Sequence, residues 1–311
     1  MAEEHRYLGP ENRGSPTIRI ALASTVLSRG DTISNLKVME DELARISGQG
    51  VDLIVFPELN LVGGPPRRQT AAEELLALAE PLPSGKAYSA VRDLARKYGA
   101  AICAGLVERD AGKLFMTHFF CDPSGFIGKQ RKLFPVNPGK PGWADAGDHL
   151  EAIDYRGFRL AILACSDFLL PEPAILAGLA GCSLIICPTD GFDLANGQIA
   201  QKLLTARALD IGAHAVAVFG HQSHREEEVV ASIACSPRGE VLLSETCTAS
   251  ETRTDIIDVV LPATPHRTWG NAEIRAGILR GSLEHIARQA PDGPAGRCPA
   301  GSAPGKAGLV R

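Results

Sequence analysis

Eight short runs of β-branched or alternating apolar residues recur along this chain, and they leave room for few architectures. They lie at Thr17–Ala23, Val51–Phe56, Ala101–Val107, Leu114–Cys121, Arg159–Ala164, Ser183–Cys187, Ala213–Phe219 and Ile256–Val260. Their length and composition predict strands rather than buried helices. Between several of them the period changes. Leu36, Met39, Leu43 and Ile46 fall on one helical face, as do Val91, Leu94, Ala95 and Tyr98, the second set after a start at Ser84 and before a stop at Gly99. Asp122-Pro-Ser-Gly125 and Ser236-Pro-Arg-Gly239 read as tight turns joining antiparallel strands. Helical crossovers require parallel pairing and tight turns require antiparallel pairing, so an α/β fold with mixed sheets covered by helices is expected.

One pattern occurs twice. Val51-Asp-Leu-Ile-Val-Phe-Pro57 and Cys182-Ser-Leu-Ile-Ile-Cys-Pro188 each follow a helical segment and end in a proline that closes a strand. Two related halves give this pattern, and so do two buried strands alike only in being apolar. Both end where open α/β sheets place ligands, beyond the carboxyl ends of strands. With 311 residues and 45% hydrophobic side chains the chain can fill a large core, and one domain is expected over residues 17–290. A polar, flexible N-terminus (1–16) precedes it. A Pro- and Gly-rich tail (291–311) follows, with too little apolar area to offset the entropy of ordering.

Charge and cysteine usage remove several function classes. The net charge of −4 is spread along the chain without a basic stripe, which argues against nucleic acid as a partner. The N-terminus carries Glu3, Glu4, Glu11 and Arg13 rather than a signal peptide's apolar core. No apolar run approaches the roughly 18 residues that cross a bilayer, so no membrane partner and a cytoplasmic location are expected. There thiols stay reduced. Of eight cysteines, Cys103, Cys187 and Cys235 sit in apolar runs as small hydrophobes, and no C-x-x-C pair suggests zinc. The chain lacks a G-x-S-x-G elbow, a G-x-G-x-x-G turn and a P-loop.

Three residues stand where chemistry is often done. Val51–Phe56 delivers Glu58 to the end of a buried strand, where burial would raise a carboxyl pKa toward that of a general base or acid; a structural carboxylate would look the same. Arg159–Ala164 runs into Cys165 at a strand-to-turn junction, which would expose its sulfur and aim the Ser166 N–H at an oxyanion, although most strand cysteines only pack. Lys132 lies in the basic stretch Gly128–Pro135, where Lys129 and Arg131 would face water while Lys132 alternates inward.

Taken in order, Phe56-Pro-Glu58, Arg131-Lys-Leu-Phe134, Gly147-Asp148, Cys165-x-Asp167 with Pro171-Glu172, Ala206-Arg-Ala-Leu-Asp210 and Ser236-Pro-Arg-Gly239 resemble the nitrilase superfamily of carbon–nitrogen hydrolases over nearly the whole chain. The resemblance implies a four-layer αββα sandwich with two mixed β-sheets, assembled as a homodimer or larger homo-oligomer through its outer helices. It implies a catalytic triad of Glu58, Lys132 and Cys165. A cysteine attacks only as thiolate and must be activated by a base. Glu58 would take its proton, and Lys132 with the Ser166 N–H would stabilise the oxyanion. No metal or organic cofactor is needed.

Cys165-Ser-Asp167 is closer to the amidase and carbamoylase branches than to true nitrilases, so the expected substrate is a small linear amide or N-carbamoyl compound. The stretch Val136–Asp145 lacks the glutamate that family members often carry between lysine and cysteine, leaving Asn137 or Asp145 as stand-ins. Arg67, beside Arg68, would bind a substrate carboxylate or face water. His221, in His221-Gln-Ser-His224, would border the same pocket. Arg207 is expected to pair with an acidic side chain. Two other outcomes fit the missing glutamate and the family: a binding or scaffold subunit, and an acyltransferase that passes the thioester to an amine.

Overall fold

The computed structural model describes residues 15–65, 76–135, 144–190, 197–221, 228–261 and 272–289. Helical crossovers set the parallel core of each sheet. β1 (Thr17–Ser24) and β2 (Leu53–Val55) are parallel, with α1 (Thr32–Ile46) between them, and α2 (Lys86–Tyr98) likewise separates β2 from parallel β3 (Ala101–Asp110). Asp31 caps α1, its Oδ1 accepting the Ser34 N–H at 3.0 Å. Gly99 ends α2 at φ 70°, a left-handed position suited to glycine. Tight turns then lead through β4 (Lys113–Asp122) to β5 (Gly125–Arg131), both antiparallel to their predecessors, while β12 (Arg253–Val260) pairs with β1. The sheet order is β12-β1-β2-β3-β4-β5.

The second sheet follows the same logic. β7 (Phe158–Ile162), β8 (Leu184–Thr189) and β9 (His214–Phe219) are parallel. α3 (Ser166–Leu169) and α4 (Pro171–Leu179) lie between the first two, and α5 (Gly197–Ile211) between the last two. β6 (Ile153–Tyr155) closes one edge, and β10 (Glu228–Cys235) and β11 (Val241–Thr248) extend the other, giving β11-β10-β9-β8-β7-β6. β2 and β8, the strands that echo each other in sequence, are each the middle member of three parallel strands.

Both faces of those strands are buried, which explains their unbroken apolar runs. Leu22, Val55 and Phe120 of one sheet meet Ile162, Ile186 and Val218 of the other in the central core. Neighbouring positions point outward: Ile54 and Phe56 pack with Met39, Leu43 and Val91, and Ile185 and Ala217 pack with Ala174, Leu204 and Ala208. Helix, sheet, sheet, helix is therefore the layer order, the αββα sandwich.

The basic stretch departs from expectation. Lys129 and Arg131 of β5 do not simply face water but converge on Glu108, whose carboxylate is fully buried. Arg131 Nε donates to it at 2.9 Å and Thr117 Oγ1 at 2.8 Å. Burial pushes the Glu108 carboxyl up, but the Arg131, Lys129 and Thr117 hydrogen bonds outweigh it and leave the pKa lowered. A buried carboxylate needs such partners, and two cations on an edge strand supply them.

Residues 270–311 form a second unit, in which α6 (Ala272–Gln289) exposes Ile274, Ile278 and Leu283. No helix among the described residues is long and apolar enough to cross a membrane. The cysteines among them are all free thiols, and no cluster of three or more His, Cys, Asp or Glu side chains there could hold a metal ion. The tail 291–311 and nearly all of the N-terminal stretch 1–16 lie outside the described residues.

Candidate active site

Glu58 owes its place to the way β2 ends. The Phe56 N–H still donates to Cys103 O at 3.0 Å, but Pro57 has no N–H and the ladder stops. Leu59 then turns left-handed (φ 48°, ψ 35°) and Asn60–Val62 forms a single tight turn. Asn60 pins that turn to the sheet, its Oδ1 accepting the Gly105 N–H at 2.9 Å. Gly63 closes it at φ 85°, and a Cβ there would lie 2.4 Å from Arg29 Cα, so only glycine fits. The Glu58 carboxylate is left fully buried beyond the carboxyl end of the strand.

Lys132 follows β5, which runs in the same direction, and its N–H donates to Met116 O at 2.8 Å. Its ammonium is buried and ion-paired with Glu58 Oε1. Cys165 comes from the opposite sheet. Its N–H donates to Pro188 O at 2.9 Å, extending the β7–β8 ladder by one rung, and the backbone then turns sharply at φ 46°, ψ −103°. Positive φ is costly for a non-glycine residue, and here it presents the half-buried sulfur at the first turn of α3. The Ser166 amide belongs to that first turn, where helix N–H groups lack intrahelical acceptors.

Asp167 stitches the two sheets together at this point. Its buried carboxylate accepts the N–H groups of Leu133 at 3.1 Å and Phe134 at 2.8 Å, while Ser166 Oγ donates to Phe134 O at 2.6 Å. The residues after Lys132 and those after Cys165 are thus one hydrogen-bonded unit.

The charges are strongly coupled. Burial raises the Cys165 thiol pKa and the Glu58 charge raises it further, against the pull of Lys132. Burial works against the Lys132 ammonium, yet Glu58, Cys165 and Asp167 hold its pKa above the ordinary lysine range. Asp167 is pushed up to about 6 by burial, against Lys132 and its two backbone donors. At neutral pH the site therefore rests as a protonated thiol beside an ammonium. The second Glu58 oxygen, Oε2, is buried with no hydrogen-bond partner among the described residues.

Other sequence candidates fare differently. Arg67 and Asn137 lie outside the described residues. The His221 imidazole meets Ser24 Oγ and lies 3.3 Å from Cys247 Sγ, and its backbone N–H donates to Thr25 O, so it ties the end of β9 to the end of β1. His224 and the acidic residues 226–227 are undescribed. Asp145 is exposed and accepts the Leu114 N–H at 3.3 Å, which commits it to the start of β4 and not to the missing glutamate's place. Arg207 pairs with Asp210 one turn along α5.

Two buried groups near the triad were not singled out from sequence. Asp190, at the end of β8, adds its charge to the field on Cys165. The repeated strand pattern was its signal, since Pro188-Thr-Asp190 closes β8 much as Pro57-Glu58 closes β2. His118, on β4, feels the Lys132 charge, and its signal was the alternation that puts it on the same face as Phe120.

Comparison with known proteins agrees with this architecture. The chain belongs to the carbon–nitrogen hydrolase family of the nitrilase superfamily, whose family model matches residues 19–264. It is 28% identical over 235 residues to a nitrilase of Pyrococcus abyssi, covering 73% of this chain and 84% of that one. An (R)-stereoselective amidase of a Pseudomonas species is 27% identical over 227 residues, covering 72% and 80%. Among solved structures, an amidase from a Nesterenkonia species superposes with a TM-score of 0.67 at 25% identity, covering 88% of this chain and 99% of that one. A cysteine-to-alanine variant of the same amidase, in complex with butyramide, matches equally well.

Proposed function

We propose that this hydrolase cleaves the C–N bond of a small linear amide or N-carbamoyl compound through a thioester on Cys165. The observation that carries the reading is the buried Lys132–Glu58 ion pair, from one sheet, standing over Cys165 of the other. Because the resting sulfur keeps its proton, attack and deprotonation go together: Glu58 Oε2 accepts the thiol proton as sulfur bonds to the carbonyl carbon. The oxyanion that forms is stabilised by the Lys132 ammonium and the Ser166 N–H. Collapse breaks the C–N bond, and Glu58 returns the proton to the leaving amine. Water, deprotonated by the same carboxylate, then cleaves the thioester to acid and free thiol.

An amide is favoured over a nitrile by the Cys165-Ser-Asp167 sequence and by the amidase whose structure superposes on this one, while the sequence relatives include both a nitrilase and an amidase. The test is intact-protein mass spectrometry after incubation with a panel of amides, carbamoyl compounds and nitriles. An acyl mass on Cys165 supports the reading, and no adduct with any of them sinks it. Adding an amine acceptor separates hydrolysis from acyl transfer. A scaffold role is disfavoured by the intact triad. We place this chemistry in the cytoplasm, whose reducing conditions keep a thiol such as that of Cys165 reduced.

Asp167 gives the reaction a pH dependence of its own. Its carboxyl, pushed up to about 6 by burial, takes a proton as pH falls through that value, and its grip on Leu133 and Phe134 loosens. Activity should drop on the acid side accordingly. Asp167→Asn, which offers one acceptor oxygen at every pH, is expected to be about tenfold slower at pH 8, equivalent to about 1.4 kcal/mol, and to lack that acid limb. An unchanged limb in the variant would assign it to another group.

We further propose self-association. Leu170 and Leu176 of the α4 segment, and Ile199 and Leu209 of α5, are exposed apolar residues on the helical layer of the second sheet. Light scattering should report a multiple of 32.9 kDa, and Leu176→Glu should lower it. A monomer in the unmodified protein would refute this.

A further inference from the structure

A buried imidazole stands beside the Lys132–Glu58 pair and takes no part in the proton transfers above. His118 lies on β4 opposite Gly105 of β3. With no side chain at Gly105, the ring leans over its Cα: a Cβ there would sit 2.5 Å from His118 Nε2 and 2.7 Å from the Leu59 nitrogen. The two atoms share that space because they are bonded to each other, the Leu59 N–H donating to Nε2 at 3.3 Å. Leu59 is buried and left-handed, so its N–H has left the β2 ladder. A buried N–H without an acceptor is costly, and the imidazole supplies one.

Acceptance by Nε2 places the ring proton on Nδ1. Burial and the Lys132 charge push the imidazole down to about 3, so it stays neutral wherever the enzyme would work. An imidazolium would lose the acceptor and set a second cation against Lys132. The bonded peptide plane joins Glu58 to Leu59, so holding its N–H fixes the backbone torsion that aims the Glu58 side chain. Asn60 pins the same turn from its other end, which keeps the turn folded without setting that torsion.

We propose that His118 is a positioning residue of this site, holding Glu58 through the Leu59 amide at the place where it can exchange a proton with Cys165. The inference rests on the role proposed for Glu58. It goes beyond the triad by making a neutral histidine on a neighbouring strand part of its alignment.

Three substitutions test it. In His118→Gln the side-chain oxygen reaches close to the position of Nε2, in His118→Asn it falls about one bond short, and His118→Leu has no acceptor. A misplacement near 1 Å is worth about 100-fold, so the Asn and Leu variants are expected to lose roughly 100-fold in kcat with KM changed less than about threefold, and Gln to stay within about tenfold of the unmodified enzyme. Alkylation of Cys165 by iodoacetamide, followed by mass, should fall and recover in the same order. Unmodified kcat in the Asn variant, or equal losses in all three that track their thermal unfolding temperatures, would overturn the proposal. Gly105→Ala, which forces the ring and the Leu59 amide apart, should reproduce the kcat loss if the histidine variants fold poorly, and unchanged kcat there would also overturn it. An unmodified enzyme that neither turns over nor acylates would instead sink the proposed function, a result these comparisons keep distinct.

Discussion

Cys165→Ala is expected to lose amide turnover by at least about 10⁴-fold while keeping its fold. In the mechanism proposed above, the sulfur is the atom that bonds to the substrate carbon, so the variant lacks the nucleophile. The backbone there is held independently of the side chain, by the Cys165 N–H to Pro188 O bond and by the Asp167 carboxylate on Leu133 and Phe134. Alanine therefore removes the chemistry and little of the packing. Amine release measured against thermal unfolding of the same preparation checks both halves of this expectation. Retention of more than about one hundredth of the activity would put the nucleophile elsewhere.

Glu58→Gln should have two separable effects. Loss of the proposed proton carrier is expected to lower kcat by about 10³-fold, within the usual range for general acid–base groups, and, on the mechanism proposed, to let an acyl-enzyme accumulate because the water of the second half-reaction is no longer activated. The other effect is on stability. Lys132 has a native pKa raised by Glu58, so the pair stabilises the fold below the ordinary lysine value, and this is lost only as pH rises through the raised one. Without the Glu58 carboxylate, burial, the largest influence on Lys132, is opposed only by the charges of Cys165 and Asp167, and the sign is expected to reverse. The variant should be less stable than the unmodified protein by about 3 kcal/mol, the low end for breaking a buried pair, with the deficit shrinking as pH rises and Lys132 sheds its proton. Denaturant unfolding at several pH values measures it. A deficit independent of pH would mean that the ammonium is not the group left unpaired.

Much of the architecture was legible because the central strands bury both faces. Ile54 and Phe56 serve one core layer and Val55 another, so β2 reads as a continuous apolar run, and β8 does the same. β5 was harder to read, since Lys129 and Arg131 give it the look of a solvated loop while they serve a buried Glu108 that lies 21 residues or more away in sequence. β6 is only three residues long. β10 and β11 were implied by the Ser236–Gly239 turn, but Ser244, Glu245, Thr246 and Thr248 of β11, which lies at a sheet edge, masked its pattern.

Glu58, Lys132 and Cys165 were visible as an ordered set of motifs, each weak on its own. Their electrostatics were not. A nearby lysine suggests a readily ionised thiol, whereas burial and the Glu58 charge keep the Cys165 proton in place. Local pattern could flag the positions of His118 and Asp190, but their neighbours in the site come from other strands and lie far off in sequence. His221 was read from its position at the end of β9, and its contacts with Ser24 and Cys247 likewise lie across strands.

Proton carrier and cation hang from one leaf of the sandwich, and the sulfur hangs from the other. On the mechanism proposed here, neither half can be pared away to leave a minimal catalyst, because the three side chains meet only where the halves are pressed together. Competence is thus a property of the closed book and not of either page.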